Sequence, residues 1–271
     1  MPWTLTTDLA AFVERALPPL RARPERNTLM LSVAATLARR GATAYGPHPP
    51  RYGWWQGADG GIEGALLWTP PHPVQLSPMP GEAARRLPES LAPHRPTQLH
   101  GDREAVGPWL AARPGAAVVE EQRLYRLGRL TPPRPLPRGR ARTATAEDRS
   151  LLVDWCVRFS GELGQTTSGA EALVDDRLSY QGFTLWQVDG EPVAMAGAKP
   201  PIARVTCVAP VYTPPPHRRR GYAAAVTAAV SGAALGAGPV VLFADAANRT
   251  STALYERLGY RPLAELVRVR L

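Results

Sequence analysis

Residues 213–226, TPPPHRRRGYAAAV, place three prolines, a histidine and three consecutive arginines directly before an uncharged, alanine-rich stretch. Backbone N–H groups at the N-terminus of a helix bind phosphate, and guanidinium groups add positive charge. Because proline has no N–H group, the run of available donors is predicted to begin at His217. Gly221 has no side chain and lets an anion approach the backbone, and Ala223 keeps the next turn open. These residues alone fit either an anion-binding loop or an exposed basic loop.

The loop lies within a predicted βαβ unit. ARVTCVAPVYT (203–213) predicts a strand, in which Pro210 indicates a bulge or an edge because proline cannot donate to the ladder. Residues 220–235 predict a helix that ends near Gly236, and PVVLFAD (239–245) predicts the next strand. Such a crossover makes the two strands parallel and puts the helix N-terminus at the carboxyl end of the first strand.

The same region imitates a membrane span. Residues 221–244 contain no charged side chain over 24 positions, which is long enough for a transmembrane helix. Alanine and glycine dominate the stretch, and GAGP (236–239) interrupts it, so a buried helix followed by a buried strand is the favoured interpretation. The N-terminus carries Asp8 and Glu14 without an apolar segment, so we expect neither a signal peptide nor a membrane partner, and a cytoplasmic location.

Composition excludes several classes of protein. The 271 residues include 31 arginines and a single lysine against 23 acidic residues, a net charge of +9 that is spread over both halves of the chain. A dedicated nucleic-acid tail would be lopsided, so nucleic acid is an unlikely partner. Cys156 and Cys207 are predicted to be buried free thiols, and without a Cys/His cluster no metal site is expected.

A proline- and arginine-rich segment, RLTPPRPLPRGR (129–140), indicates an extended linker. It separates a predicted N-terminal domain (1–130) from a C-terminal domain (139–271), with the linker itself at 131–138. In both domains three strands are followed by helix, strand, helix and strand, which predicts an α/β fold with an internal duplication.

The predicted elements of the N-terminal domain are strands at 52–57, 61–69, 73–79, 96–100 and 116–127 and helices at 81–91 and 102–112. Those of the C-terminal domain are a strand at 140–145, helices at 146–163 and 169–178 around a polar Gly- and Thr-containing stretch, a hairpin at 183–197, a helix at 248–259 and one or two final strands. The hairpin signal is Asp189-Gly190 between two apolar runs.

Two motifs resemble one known family. Arg218-x-x-Gly221-x-Ala223, after a strand and at the start of a helix, resembles the coenzyme A pyrophosphate loop of the GCN5-related N-acetyltransferases, the GNAT family. NRTSTALYERLGYRP (248–262) resembles the family's next element, N-x-x-S-x-x-L-Y-x-x-x-G-Y/F. The resemblance covers residues 138–271. The first 130 residues match the family's order of elements but lack its loop motif, so the chain resembles tandem GNAT proteins with a degenerate N-terminal domain.

The resemblance implies a GNAT fold, with a mixed and mostly antiparallel sheet, and acetyl-CoA as the co-substrate. Its pyrophosphate would lie on N–H groups from Arg219 to Ala223, one arginine of the loop would reach a phosphate, and the pantetheine arm would pair with Val211 and Thr213 as an added strand. Asn248 would bind the pantetheine or simply cap a helix, and Ser251 would meet a phosphate or support that cap. The implied cofactor-binding residues are Val211, Tyr212, Thr213, Arg218, Arg219, Arg220, Gly221, Tyr222, Ala223, Asn248, Ser251 and Tyr255.

The catalytic groups are only partly defined by the resemblance. Tyr255 is the expected catalytic acid, which protonates the departing thiolate, or else it packs beneath the cofactor. Many relatives carry a glutamate on the strand before the arginine loop as general base, whereas ARVTCVAPVYT contains no acid. A water chain, Cys207 or Glu162 remain as alternatives for this base.

The expected activity is transfer of an acetyl group to an amine of a small molecule by direct attack, in a monomer or homodimer. A GNAT-fold enzyme that uses aminoacyl-tRNA as donor, favoured by the arginine content, and a non-catalytic acyl-CoA-binding module are the alternatives. The acceptor cannot be read from the sequence; Trp54, Trp55 and Trp186 could line its pocket or belong to the core.

Overall fold

The computed structural model describes residues 3–164 and 169–271, so part of the polar stretch predicted after the 146–163 helix lies outside the described residues. The chain forms two compact units. Unit 1 contains Met1–Leu124, Ala244–Asn248 and Pro262–Leu271, and unit 2 contains Tyr125–Phe243 and Arg249–Arg261. The C-terminal residues thus group with the first unit, while the predicted limits 1–130, 131–138 and 139–271 remain predictions.

Unit 1 begins with one strand and three helices that have no counterpart among the predicted elements. Its elements are β1 (Trp3–Thr6), α1 (Leu9–Arg15), α2 (Leu17–Arg21), α3 (Thr28–Arg40), β2 (Arg51–Gln56), β3 (Ile62–Trp68), β4 (Val74–Leu76), α4 (Gly81–Leu91), β5 (Gln98–Asp102), α5 (Arg103–Ala112) and the larger part of β6 (Ala117–Leu127). The predicted strands and helices from residue 52 onward are confirmed, with ends that shift by a few residues.

Unit 2 follows the same order of elements. They are β7 (Arg140–Thr143), α6 (Arg149–Glu162), α7 (Ala170–Leu178), β8 (Phe183–Val188), β9 (Glu191–Ala198), β10 (Thr206–Tyr212), α8 (Tyr222–Ala234), β11 (Val240–Asp245, which ends in unit 1), α9 (Arg249–Arg257) and the start of β12 (Tyr260–Arg270). The predicted repetition of element order is therefore confirmed, and it extends to one strand followed by helices at the start of each unit.

The strands pair in the same pattern in both units. In unit 1, β1, β2, β3, β4 and β5 are neighbours in that order, and β12 pairs with β5 through residues 266–270. In unit 2 the order is β7, β8, β9, β10, β11. Neighbours are antiparallel except β4 with β5 and β10 with β11, the strands on either side of α4 and α8. The predicted mixed sheet with a parallel crossover is confirmed.

Apolar side chains give each unit its own core. In unit 1, Trp3, Trp55, Leu99 and Trp109 are buried together between the strands and α4 and α5. In unit 2, α6 and α7 pack on β8, β9 and β10, and the buried side chains are Leu152, Trp155, Cys156, Val174, Phe183, Leu185, Met195 and Tyr212.

The uncharged stretch 221–244 forms α8, a short turn and most of β11, as predicted, and not one long helix. Val226 and Val241 are fully buried, which explains why charged residues are excluded from this stretch. Within residues 3–164 and 169–271, no helix combines the length and apolar character needed to cross a membrane.

Candidate active site

The strands β10 and β11 part soon after they begin. Thr206 pairs with Val240 and Cys207 with Val241, and in the described chain no pairing between these strands continues beyond that point. On its other side β10 pairs with β9, and the register shifts between Val208 and Val211. This confirms the bulge predicted at the proline that follows Ala209. The β11 side of β10 therefore has main-chain groups that can pair with an added extended ligand.

The proline run forms a single turn of 3-10 helix at Pro215–His217. His217 N–H donates to the carbonyl of Pro214 at 2.9 Å, and Arg218 N–H donates to the carbonyl of Pro215 at 3.3 Å. The prediction that available donors begin at His217 is thus wrong, because these two N–H groups close the turn that proline φ angles favour. Donors for a ligand begin after Arg218.

The backbone then reverses its handedness twice before α8 starts. Arg219 has φ +61° and Gly221 has φ +82°, both in the left-handed region. The first bond into α8 is Ala225 N–H to the Gly221 carbonyl at 3.0 Å, so the N–H groups of Tyr222 and Ala223 remain unpaired in the first turn, as at any helix start. Alternating backbone handedness in front of a helix forms a concave anion-binding nest.

Of the residues that the structure describes, a Cβ atom at Gly221 would contact only Pro137, at 3.7 Å, an ordinary van der Waals distance. The glycine is therefore required by its positive φ and by space for a ligand, not by crowding inside the protein.

The three arginines differ in their contacts. Arg218 donates through Nε to the carbonyl of Thr213 at 2.9 Å and through Nη2 to both carboxylate oxygens of Glu162, at 2.5 and 2.8 Å. Its guanidinium also lies 5.8 Å from the ring centroid of Tyr212. Arg219 and Arg220 are exposed and form no ion pair with a described residue, so these two are the arginines available to an incoming phosphate.

Two side chains line the end of β10. Tyr212 is buried against Trp155, and its hydroxyl donates to Glu162 Oε1 at 3.4 Å. Burial, and then the negative charge of Glu162, raise the pKa of Tyr212. The hydroxyl of Thr213 is buried without a hydrogen-bond partner among the described residues, an arrangement that favours a ligand or water at this position.

Tyr255 lies on α9 within a cluster of tyrosines. Its ring centroid is 6.4 Å from that of Tyr125 and 6.0 Å from that of Tyr260, and the residue is 8% exposed. Burial, with a smaller contribution from Tyr260, raises the pKa of Tyr255 well above that of a free tyrosine. The phenol therefore keeps its proton at neutral pH and can act as a hydrogen-bond donor.

Asn248 and Ser251 are placed where the sequence predicted. Asn248 directly precedes α9, and its N–H donates to the carbonyl of Asp245 at 3.1 Å. Ser251 lies in the first turn of α9. Both positions suit a helix cap as well as a ligand contact.

Neither Cys207 nor Glu162, the two side chains predicted as alternatives for the general base, is free for that role. Burial raises the pKa of Cys207, although Lys199 and Arg177 oppose this effect, so the thiol is protonated at neutral pH. The carboxylate of Glu162 is held by Arg218. Within the described residues, no group of three or more His, Cys, Asp or Glu side chains could hold a metal ion.

The three tryptophans that could have lined an acceptor pocket lie in or beside the cores of the two units. Trp55 belongs to the core of unit 1, and Trp54 lies half-buried beside it on β2. Trp186 is buried in unit 2, and its indole N–H donates to the carbonyl of Arg138 at 3.0 Å, which fastens the end of the linker. Sequence reasoning missed Arg177 and Gly197, which meet at the β10 bulge, because no local pattern marks either residue.

Comparison with known proteins identifies the family of the segment that contains the arginine loop. Residues 150–260 match the model of the acetyltransferase (GNAT) family. A search of curated proteins found no significant match. Among solved structures, a GNAT-family acetyltransferase from Colwellia psychrerythraea superposes with a TM-score of 0.63 at 9% identity, covering 100% of both chains. A GCN5-related N-acetyltransferase from Sphaerobacter thermophilus has a TM-score of 0.67 at 17% identity, covering 99% of this chain and 95% of that chain.

A tandem GNAT protein from the clavulanic acid biosynthesis pathway has a TM-score of 0.50 at 15% identity, covering 93% of this chain and 96% of that chain. At these identities the structural likeness shows the fold, and it extends over both units. The family match contains the arginine loop and α9. Residues 150–260 therefore belong to the acetyltransferase (GNAT) family, and the two units share their fold with GNAT structures that include a tandem GNAT protein.

Proposed function

We propose that this protein is an acetyl-CoA-dependent N-acetyltransferase that acts on an amine of a small molecule, with unit 2 as the catalytic unit. The observation that carries the proposal is the loop at Arg218–Ala223, where the left-handed Gly221 precedes the open first turn of α8. Such a turn at the carboxyl end of a strand suits an anion such as a pyrophosphate, which supports the proposal.

The residues around this loop fit the rest of the co-substrate. Among the described residues, the β11 side of β10 has no strand partner after Cys207, so Val211 can pair with the amide groups of a pantetheine arm. The unpartnered hydroxyl of Thr213 lies between this edge and the loop. When bound, acetyl-CoA supplies a thioester whose carbonyl is open to attack by an amine.

The reaction forms a bond between the amine nitrogen and the acetyl carbon and breaks the bond between that carbon and sulfur. The amine loses one proton and the departing thiolate gains one. Tyr255 is assigned to the thiolate, because its protonated phenol is a hydrogen-bond donor at neutral pH. The raised pKa makes full release of its proton costly, so its main effect is stabilisation of negative charge on sulfur.

The amine loses its proton to water in this proposal. A free amine has a pKa of about 10, so only a small fraction is neutral at pH 7. The thiol of Cys207 is a poor acceptor because it is already protonated, and Glu162 is engaged with Arg218. The rate is therefore expected to rise with pH toward the pKa of the acceptor.

Two measurements test the proposal. Acetyl-CoA is expected to raise the melting temperature of the protein, and release of free coenzyme A thiol is expected when a panel of small amines is added. No stabilisation by acetyl-CoA would refute the donor. Stabilisation without thiol release would instead favour a non-catalytic acyl-CoA-binding module, and salt-sensitive retention of aminoacyl-tRNA would favour that donor.

A further inference from the structure

Arg177 is a buried cation at the bulge of β10. The residue lies near the end of α7 and is 4% exposed. Its Nη1 donates a short hydrogen bond to the carbonyl of Ala209, and its guanidinium lies over the ring of Phe183, 5.4 Å from the centroid. Both partners are neutral, so they orient the guanidinium without balancing its charge.

No carboxylate pairs with Arg177. Among residues 3–164 and 169–271, no Asp or Glu oxygen lies within ion-pair distance of its guanidinium, and the six residues outside this range include no Asp or Glu. A guanidinium with a single carbonyl partner leaves several N–H donors for other groups. The negative charge of the neighbouring Asp176 acts on Arg177 without an ion pair between them. A buried guanidinium without a directly bonded carboxylate is costly, which favours an anionic ligand at this position.

A second cation lies beside it. Lys199, the only lysine of the chain, follows the end of β9, and its N–H donates to the carbonyl of Cys207 at 3.2 Å. Lys199 as a whole residue is exposed. Partial desolvation of its side chain lowers its pKa, Cys207 opposes this, the positive charge of Arg177 lowers the pKa further, and Asp176 raises it. No carboxylate among the described residues forms an ion pair with Lys199 either. Lys199 therefore adds a second, exposed cation next to the first half of β10, to which its main chain is bonded.

The position of Arg177 is fixed by Gly197 on the neighbouring strand. A Cβ atom at Gly197 would lie 2.5 Å from Nη1 of Arg177 and 2.7 Å from the oxygen of Ala209. Glycine is therefore needed for the guanidinium to reach the bulge. An anion on Arg177 would therefore be held at the bulge of β10, the strand along whose β11 edge the pantetheine arm is proposed to lie.

We propose that Arg177, assisted by Lys199, binds a carboxylate group of the acceptor, so that the acceptors of this enzyme are amino acids or related amines that carry a carboxylate. This inference rests on the proposed N-acetyltransferase function. The planar guanidinium fork matches a carboxylate and holds it through two parallel hydrogen bonds, which a neutral amide cannot reproduce.

The test compares each amine in two forms. Thiol release is measured for α-, β- and γ-amino acids and for the primary amides of the same compounds, in wild type, Arg177→Gln, Arg177→Lys and Lys199→Gln. The matched control is Arg158→Gln, which removes an exposed arginine from the adjacent α6. The ratio of kcat/KM between the two forms is compared across variants, so that the intrinsic reactivity of each amine cancels.

Wild type and Arg158→Gln are expected to prefer the carboxylate form by roughly 100-fold or more, as for a site built to hydrogen-bond one substrate group. Arg177→Gln removes this preference, Arg177→Lys retains part of it, and Lys199→Gln lowers it. A binding measurement needs no turnover. Calorimetry with coenzyme A present is expected to show that N-acetyl-β-alanine binds more tightly than its amide, with the same order among the variants.

Equal rates on both forms in wild type, or an unchanged preference in Arg177→Gln, would overturn the carboxylate site while leaving the N-acetyltransferase intact. Failure of acetyl-CoA to bind at all would overturn the proposed function itself. Should Arg177→Gln prove unstable, the wild-type preference and the Arg177→Lys variant decide the question.

Discussion

Nη2 of Arg218 lies 2.5 and 2.8 Å from the two carboxylate oxygens of Glu162, although the residues are 56 positions apart. Their side chains are 42% and 47% exposed, so solvent screens the pair and its contribution to stability is expected to be small. The pair matters instead for where the two side chains lie. The pair directs the first arginine of the loop toward α6 and places a negative charge beside the proposed phosphate site.

Glu162→Gln is expected to tighten acetyl-CoA binding about threefold to tenfold at low salt, because it removes a negative charge and a competitor for Arg218. The gain should shrink at high salt, as calorimetry at two ionic strengths would reveal. Glu171→Gln, which removes an exposed carboxylate from α7, is the control and should have no effect on affinity. If Glu162 were instead the general base, kcat would fall about 100-fold or more.

Gly221 is expected to tolerate no side chain. Gly221→Ala places a Cβ on a left-handed residue, which costs about 1–2 kcal/mol, and a loop distorted by that amount should bind acetyl-CoA roughly tenfold more weakly. A bulkier residue such as valine should abolish binding. The control is Gly232→Ala within α8, where a Cβ meets only Leu130 at 3.4 Å and helix stability should rise. Near-normal affinity of Gly221→Val would contradict the loop assignment.

Tyr255→Phe is expected to lower kcat about 100-fold, at the weaker end of general-acid effects, because the raised pKa of this phenol limits full proton transfer. Affinity for acetyl-CoA should stay close to that of wild type, since only the hydroxyl is lost. Tyr125→Phe removes a hydroxyl from the same cluster, one that donates to Glu256 at 3.1 Å, and should retain kcat. Equal rates in both variants would mean that Tyr255 only packs beneath the cofactor.

Local chemistry explains which parts of this fold could be predicted. Asp189 and Gly190 have φ of +51° and +93°, the left-handed pair that a two-residue hairpin turn requires, and the sequence signal was correspondingly clear. Asp8 caps α1 by accepting from the N–H of Ala10 at 2.7 Å, so a signal for the unassigned first helix was also present.

Contacts between distant segments could not be predicted. Arg177 meets Ala209 and Arg218 meets Glu162 only because α7 and α6 pack over the end of β10, and neither helix carries a residue pattern that fixes its partner strand. The pairing of β12 with β5 is a similar case, since a strand of alternating polarity fits many edges equally well. The prediction for His217 was wrong for a local reason instead, because its N–H closes a 3-10 turn with Pro214, three residues earlier.

Stability is expected to fall steeply at high pH. Burial raises the pKa of both Tyr52 and Tyr260 to about 12, with Asp8 adding to the effect at Tyr52. Above pH 10 the unfolded chain ionises these phenols while the folded chain does not, so the stability present below pH 10 is lost as pH rises toward 12. Each tyrosine should lower the free energy of unfolding by about 1.4 kcal/mol per pH unit in this range.

Urea unfolding of Tyr52→Phe between pH 8 and 11.5 checks the alkaline effect. Tyr52 stacks on Phe12 and is 2% exposed, so loss of its hydroxyl should leave the packing intact. Above pH 10, the free energy of unfolding of Tyr52→Phe should fall less steeply with pH than that of wild type, by the equivalent of one proton. Below pH 9, the difference in unfolding free energy between the two proteins should stay constant. Identical slopes would contradict the assignment of alkaline instability to this phenol.

Gly197→Ala tests whether the β10 bulge depends on the Arg177 contact. The new methyl group would overlap Nη1 of Arg177 and the oxygen of Ala209, so the hydrogen bond between them cannot persist in its present geometry. Overpacking of this kind costs about 1–3 kcal/mol, and displacement of Arg177 should also abolish any preference for carboxylate acceptors. Gly161→Ala on α6, where a Cβ meets no described atom within 4 Å, is the control; it should not lower stability, since alanine favours the helix, and should leave the preference unchanged. Wild-type stability of Gly197→Ala would show that the strands accommodate the methyl group. The bulge would then not depend on the hydrogen bond from Arg177, and its pairing with β9 would suffice.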